Sequence, residues 1–203
     1  MYMRKLTRYG LVLALAFGLR MILRQQDGDE SAVRAAMAEI SRAAAGDHAN
    51  CAIKFRLLEK PIPLDEAGLK YDRAYLNLAE VVSARLGEFS TNIQLVESHS
   101  CVFNGRRFAH VVLRDHGSLV SLLITDLSGP AIEKGAERSG SDGAQQVSSC
   151  PIFEGYQVAC FKTASHAILL VSDLAEGENL AVARQVAPAV YNHVSGAEGP
   201  LKG

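Results

Sequence analysis

Between Asn92 and Asp126 apolar side chains recur at nearly every second position, and the alternation is cut by two short polar turns. The stretches NIQLVESHSCVF and RRFAHVVLR meet at Asn104-Gly105, a pair that tolerates the positive φ both central residues of a tight hairpin need. A second turn at Asp115-His116-Gly117 leads into SLVSLLITDL, so residues 92–126 read as a three-stranded antiparallel meander. Two further strands, YQVACFK and HAILLVSDL, predict a hairpin, with Cys150-Pro151-Ile152-Phe153 as an edge strand before Glu154-Gly155. Residues 128–145 are rich in Gly, Ser and charge, which predicts a long surface loop.

Elsewhere the period is helical. SAVRAAMAEISRAAAGD (31–47) is built from helix formers and is expected to stop at Gly46. CAIKFRL (51–57) then alternates like a strand. Pro61 and Pro63 break the chain, and a helical region opens at Leu64 or Asp65 and runs to about Arg85, with Gly87 as its stop. Its stripe of Leu69, Tyr71, Tyr75, Leu78, Val81 and Val82 suits packing on a sheet, and Gly68 and Asp72 are places where it would split into two helices. ENLAVARQVAPAVYNHV (178–194) closes the chain as an amphipathic helix with Pro188 inside it. The predicted class is α+β: an antiparallel sheet of five to six strands, meander plus hairpin, with helices packed on one face. The predicted domain covers residues 31–195, followed by a flexible tail, 196–203.

The N-terminus changes the picture. Arg4, Lys5 and Arg8 precede an unbroken apolar run, Gly10 to Leu19, and Arg20 interrupts before a further Met-Ile-Leu. Basic residues ahead of an apolar stretch point to export or membrane insertion. The run is shorter than the roughly 20 residues of an untilted span, although Arg20 can snorkel to the headgroups. Ala14-Leu15-Ala16 offers the rival reading of a cleaved signal peptide. We read residues 1–30 as an uncleaved anchor helix with a polar linker. That places the chain as a single-pass protein of a bacterial inner membrane with its C-terminal domain in the periplasm.

Composition removes some function classes. Lys and Arg number 21 against 22 Asp and Glu, and the five basic residues before position 25 make the remainder mildly acidic, so a nucleic-acid partner is not expected. The chain has no Walker A loop, no Gly-x-Gly-x-x-Gly, no Gly-x-Ser-x-Gly elbow and no His-Glu-x-x-His, and the expected protein is not an enzyme. Four cysteines without a Cys-x-x-Cys fit an oxidising compartment.

The Asn104-Gly105 turn fixes register, pairing Phe103 with Arg106, Cys101 with Phe108, and His99 with His110, all on one face. Two imidazoles and a thiolate on one patch can bind zinc or copper, and Asp47-His48-Ala49-Asn50-Cys51 adds His48 and Cys51 as further candidates. The alternative is structural: Phe103, Phe108 and Val112 suit a core-facing surface, and Cys101 can instead pair with Cys51. Cys150 and Cys160 would stand opposite each other across their hairpin, giving Cys150–Cys160 and Cys51–Cys101 as the favoured disulfides.

Three stretches, Asp47 to Tyr75, His99 to Arg114 and Gly155 to Leu174, resemble the extracytoplasmic domain of bacterial transmembrane anti-sigma-factor-like regulators. Such regulators join a cytoplasmic zinc-binding domain, marked by His-x-x-x-Cys-x-x-Cys, to one membrane helix and an outer sensor domain. Here only residues 1–9 precede the apolar run, so the resemblance implies an outer domain on an anchor, without sigma-factor binding by this polypeptide. The expected function is therefore a membrane-anchored, non-enzymatic sensor or binding domain acting through protein partners, with no cofactor. Two alternatives stay open: a periplasmic zinc or copper protein using His99, Cys101, His110, His48 and Cys51, and a structural or accessory subunit of a membrane or filamentous complex, including a homo-oligomer.

Overall fold

A computed structural model describes residues 33–54, 60–89, 92–127 and 146–198. The expected anchor (1–30), the 128–145 loop and residues 199–203 of the expected tail lie outside the described residues. Among the described residues no helix is long and apolar enough to cross a membrane.

The chain opens with α1 (33–47), which runs on into a π-helical turn, His48–Ile53. Gly46 does not end the helix. It stands where α1 meets the sheet, and a Cβ there would fall 2.5 Å from Phe103 Cε1. Cys51, Ala52 and Ile53 are therefore helical, not the start of a strand, and the turn closes with Lys54 N–H donating to Ala49 O at 3.1 Å. The second helical region splits as expected, into α2 (Leu64–Lys70), a 3-10 turn (Arg73–Tyr75) whose Asp72 cap accepts from Ala74 N–H, and α3 (Leu78–Phe89), which runs past Gly87.

Six strands follow: β1 (Ile93–Phe103), β2 (Arg106–Asp115), β3 (Ser118–Asp126), β4 (Ser148–Phe153), β5 (Tyr156–Lys162) and β6 (His166–Ser172). Their order in one antiparallel sheet is β1-β2-β3-β6-β5-β4. The second half is thus a meander like the first, and the two halves meet third strand to third strand along Val120↔Ser172 to Asp126↔His166. The β1–β2 register is the one the turn predicts, with His99 opposite His110 and Cys101 opposite Phe108. Asn104 and Gly105 take φ of 50° and 77°, and the other two hairpin turns of this kind, His116-Gly117 and Glu154-Gly155, use the same device. A bulge at Val96 interrupts β1, and the β4 ladder is irregular between Cys150 and Phe153, around Pro151. On the outer side of β1, Ile62 forms an isolated bridge with Ser100.

Helices cover both faces of the sheet, where one was expected. α2, α3 and α4 (Glu176–Ala197) pack on the face carrying Val111, Leu122, Ile168 and Leu170. α1 and the π turn pack on the other, over Phe108, Leu123, Leu169 and Val171. The reason is legible in β6, HAILLVS, whose residues are all buried: a strand covered on both sides reads as a continuous apolar run. α4 runs past the expected boundary at 195, and its C-cap residue Glu198 accepts from Ser165 N–H at 3.0 Å, Ser165 Oγ–H at 2.7 Å and Thr163 Oγ1–H. His166 bridges this carboxylate and Asp72, at 2.6 Å and 2.7 Å, and so ties α4 to the α2–α3 connection.

Candidate metal centre

On the α1 face the β1–β2 end of the sheet carries a buried polar cluster. β1 contributes His99 and Cys101, β2 contributes His110, and the π turn lowers Cys51 onto them, with Asp47 one helical turn before it on the same side. One donor atom from each of Cys51, His99, Cys101 and His110 lies within 4.8 Å of all the others, and all four residues are buried. Ideal zinc bonds of about 2.3 Å to sulfur and 2.05 Å to nitrogen put tetrahedral edges at about 3.4–3.8 Å. No separation in the quartet exceeds 4.8 Å, within about 1.5 Å of those edges. Cys51 Sγ and His99 Nε2, at 2.8 Å, would have to part by less than about 1 Å to admit an ion between them.

Asp47 closes the cluster from the helix side. Its carboxylate accepts from the Cys101 thiol at 3.2 Å and lies 3.2 Å from His110 Nδ1. The far nitrogen, His110 Nε2, is 2.6 Å from Ser121 Oγ, which is in turn 2.7 Å from His48 Nδ1. At the rim, His99 Nδ1 lies 3.3 Å from the carboxylate of Glu97, a side chain 47% exposed. Carboxylates and hydroxyls behind ligating histidines are the usual means of orienting such rings.

The electrostatics are those of a thiolate–imidazolium cluster. Hydrogen bonding from the Cys101 thiol, helped by His110 and His99 against the opposing effect of burial, holds Cys51 well below the usual thiol range. Cys101 is pushed up, because its proton is the one shared with Cys51, because it is buried, and because Asp47 is beside it. Burial alone would lower His110, but Asp47 and the Cys51 thiolate raise it to about 9. Burial and the neighbouring His110 charge lower His48 to about 4. With protons in the cluster, Cys51 is a thiolate and His110 an imidazolium. A divalent ion replacing the protons of Cys101 and His110 leaves the net charge of the buried cluster unchanged, so metal binding adds no buried charge.

The structure thus gathers four of the five predicted ligand candidates. His48 is not among them: it points to Ser121, and its ring meets Tyr156 at 80° with centroids 4.7 Å apart. Asp47 and Ser121 escaped the sequence reading. Asp47 precedes Cys51 by one helical turn, and Ser121 is the lone polar residue in LVSLLI, which are the signals that could have found them. Of the two favoured disulfides, Cys150–Cys160 is present, with 6.0 Å between Cα atoms, while Cys51 and Cys101 are free. The bridge joins diagonal positions, because the β4 irregularity sets Cys150 against Val158 and Ser148 against Cys160. Cys51 Sγ lies 2.8 Å from His99 Nε2, and Cys101 Sγ lies 3.2 Å from the Asp47 carboxylate.

A cleft of about 460 Å³ opens between the start of α1 and the β4–β5 edge, lined by Val33, Met37, Pro151, Phe161 and Lys162 among others. None of the quartet lines it. No protein-family model, curated protein or solved structure matches the chain.

Proposed function

We propose that this chain is an extracytoplasmic metal-binding domain, that zinc(II) is the ion suited to it, and that the ion clamps α1 to the sheet. One observation carries the proposal: two histidines and a cysteine of one hairpin and Cys51, 48 positions before His99, converge their donor atoms within 4.8 Å at a buried point. Two thiolates and two imidazoles form a closed tetrahedral set of the kind that holds structural zinc. Such a set leaves no position for a substrate, and the cleft lies elsewhere, which favours binding or sensing over catalysis. Charge balance favours a divalent ion over copper(I), which would leave the buried cluster with an added negative charge.

The Cys150–Cys160 disulfide supports the export expected from the N-terminal sequence. In an oxidising compartment, neighbouring free thiols are preserved when a metal ion holds them as thiolates. Because α1 leads directly from the expected anchor segment, occupancy of the centre would reach a membrane-side protein partner through the seating of that helix.

Untagged protein purified without chelators tests the reading by elemental analysis and by zinc competition against a chromophoric chelator. The expected result is one zinc per chain, lost in Cys51→Ser, Cys101→Ser and His110→Ala. A wild-type protein that takes up no zinc, or whose Cys51 and Cys101 are joined in the native state, refutes it. Retention of the full chain in carbonate-washed membranes tests the anchoring.

A further inference from the structure

We infer that Ser121 and His48 are positioning residues for this centre: through the Ser121 hydroxyl, His48 fixes the His110 ring so that Nδ1 is the nitrogen presented to the ion. The inference rests on the metal-binding reading above. Its basis is the three-membered chain His110 Nε2, Ser121 Oγ, His48 Nδ1, with links of 2.6 Å and 2.7 Å and all three residues fully buried.

Ser121 is held more firmly than a loop residue could be. It lies mid-strand in β3, paired with Val112 of β2 on one side and Val171 of β6 on the other. A serine hydroxyl has one hydrogen, and here it faces two ring nitrogens, so one ring must donate to it and the other accept from it. If the ion takes the lone pair of His110 Nδ1, the ring proton sits on Nε2 and is donated to Ser121 Oγ. The hydroxyl then donates to His48 Nδ1, which leaves the His48 proton on Nε2. This is the one neutral arrangement that frees His110 for a metal. In the reverse arrangement His48 donates to Ser121, Ser121 donates to His110 Nε2, and the His110 proton stays on Nδ1, where it blocks the ion.

His48 Nε2 is buried and makes no hydrogen bond among the described residues, a cost that a core histidine kept only for packing would not need to carry. Replacing such an orienting group behind a ligating histidine ordinarily lowers metal affinity about 10- to 100-fold.

The test is zinc affinity by chelator competition, with cobalt(II) as a spectroscopic probe, on wild type, Ser121→Ala, His48→Leu and His48→Asn. Ser121→Ala is expected to lose about 10- to 100-fold in zinc affinity and to shift the cobalt thiolate and ligand-field bands, and His48→Leu to move in the same direction by about 10-fold. His48→Asn places an amide oxygen near the site of Nδ1 and keeps the acceptor, so it should stay within about 3-fold of wild type. Urea unfolding without metal checks that each variant is folded. Should Ser121→Ala fail that check, the His48→Leu and His48→Asn pair decides alone. Wild-type affinity and cobalt spectra in Ser121→Ala and His48→Leu overturn the inference, as does a His48→Asn variant as weak as His48→Leu. A wild-type protein that binds neither zinc nor cobalt overturns the metal-binding reading and this inference with it.

Discussion

Asp47→Asn is the sharpest probe of the buried charge at the centre. The change keeps the shape and the acceptor oxygen that Cys101 uses, but removes the charge 3.2 Å from His110 Nδ1. In the native protein His110 is raised from 6.5 to about 9, burial opposing the shift and Asp47 the first group to drive it upward. Its folded pKa therefore lies above its unfolded one. The associated stability is complete below pH 6.5 and is lost as pH rises through about 9. At pH 7 that linkage amounts to about 2.5 kcal/mol, of which Asp47 supplies the larger share, so the variant should lose about 2 kcal/mol. With about 140 described residues the unfolding entropy is about 0.3 kcal/mol/K, and the expected fall in Tm is about 6 °C. The assay is thermal and urea unfolding of both proteins with chelator present, at about pH 6, 7.5 and 9.5. The difference between them should shrink toward zero at the highest pH. A difference that is constant across the series, or absent at pH 7, refutes the picture of a His110 imidazolium held by Asp47.

Three further changes report on the frame around the centre. Gly46→Ala pushes a methyl group into the Phe103 ring and should cost about 1–3 kcal/mol in urea unfolding, with a matching loss of zinc affinity as α1 is lifted from the sheet. Glu198→Gln removes one of the two carboxylates that, against burial, raise His166; that contribution exists at low pH and is lost as pH rises through the raised pKa, so the variant should flatten the fall in stability as pH climbs above the ordinary imidazole range. Cys150→Ser, which opens a loop with a sequence separation of 10, should destabilise by about 2–3 kcal/mol without altering zinc stoichiometry; a loss of bound metal would show that the two features are coupled.

The hairpin carrying His99, Cys101 and His110 was readable to the residue because Asn104-Gly105 dictates a two-residue turn and the turn dictates register. Helix 33–47 and the break at Asp72 were likewise written in local propensity, whereas Gly68, the other expected break, lies inside α2. The misreadings share a cause in tertiary packing. CAIKFRL alternates as a strand does, yet the π turn takes its first three residues because the helix continues past Gly46 onto the sheet. The second covered face is visible only when β6 is seen as a fully buried run, and Val120 to Thr125 of β3 as a buried one beside it. Pairing Cys51 with Cys101 was half right: the fold does bring them together, but with two histidines and Asp47 between and around them, and local spacing does not announce such a meeting.

The two outermost strands are also poor templates for polymerisation. β1 is broken by the Val96 bulge and its outer side is engaged by Ile62 at Ser100, so an incoming strand meets no continuous row of donors and acceptors. β4 is short, irregular between Cys150 and Phe153, and carries Pro151, which has no N–H to offer. Six strands with both ends spoiled in this way make a sheet that terminates itself. Among the described residues neither sheet edge therefore offers a template for edge-to-edge growth into a cross-β fibre, and contacts made by this sheet between copies would be built from side-chain surfaces.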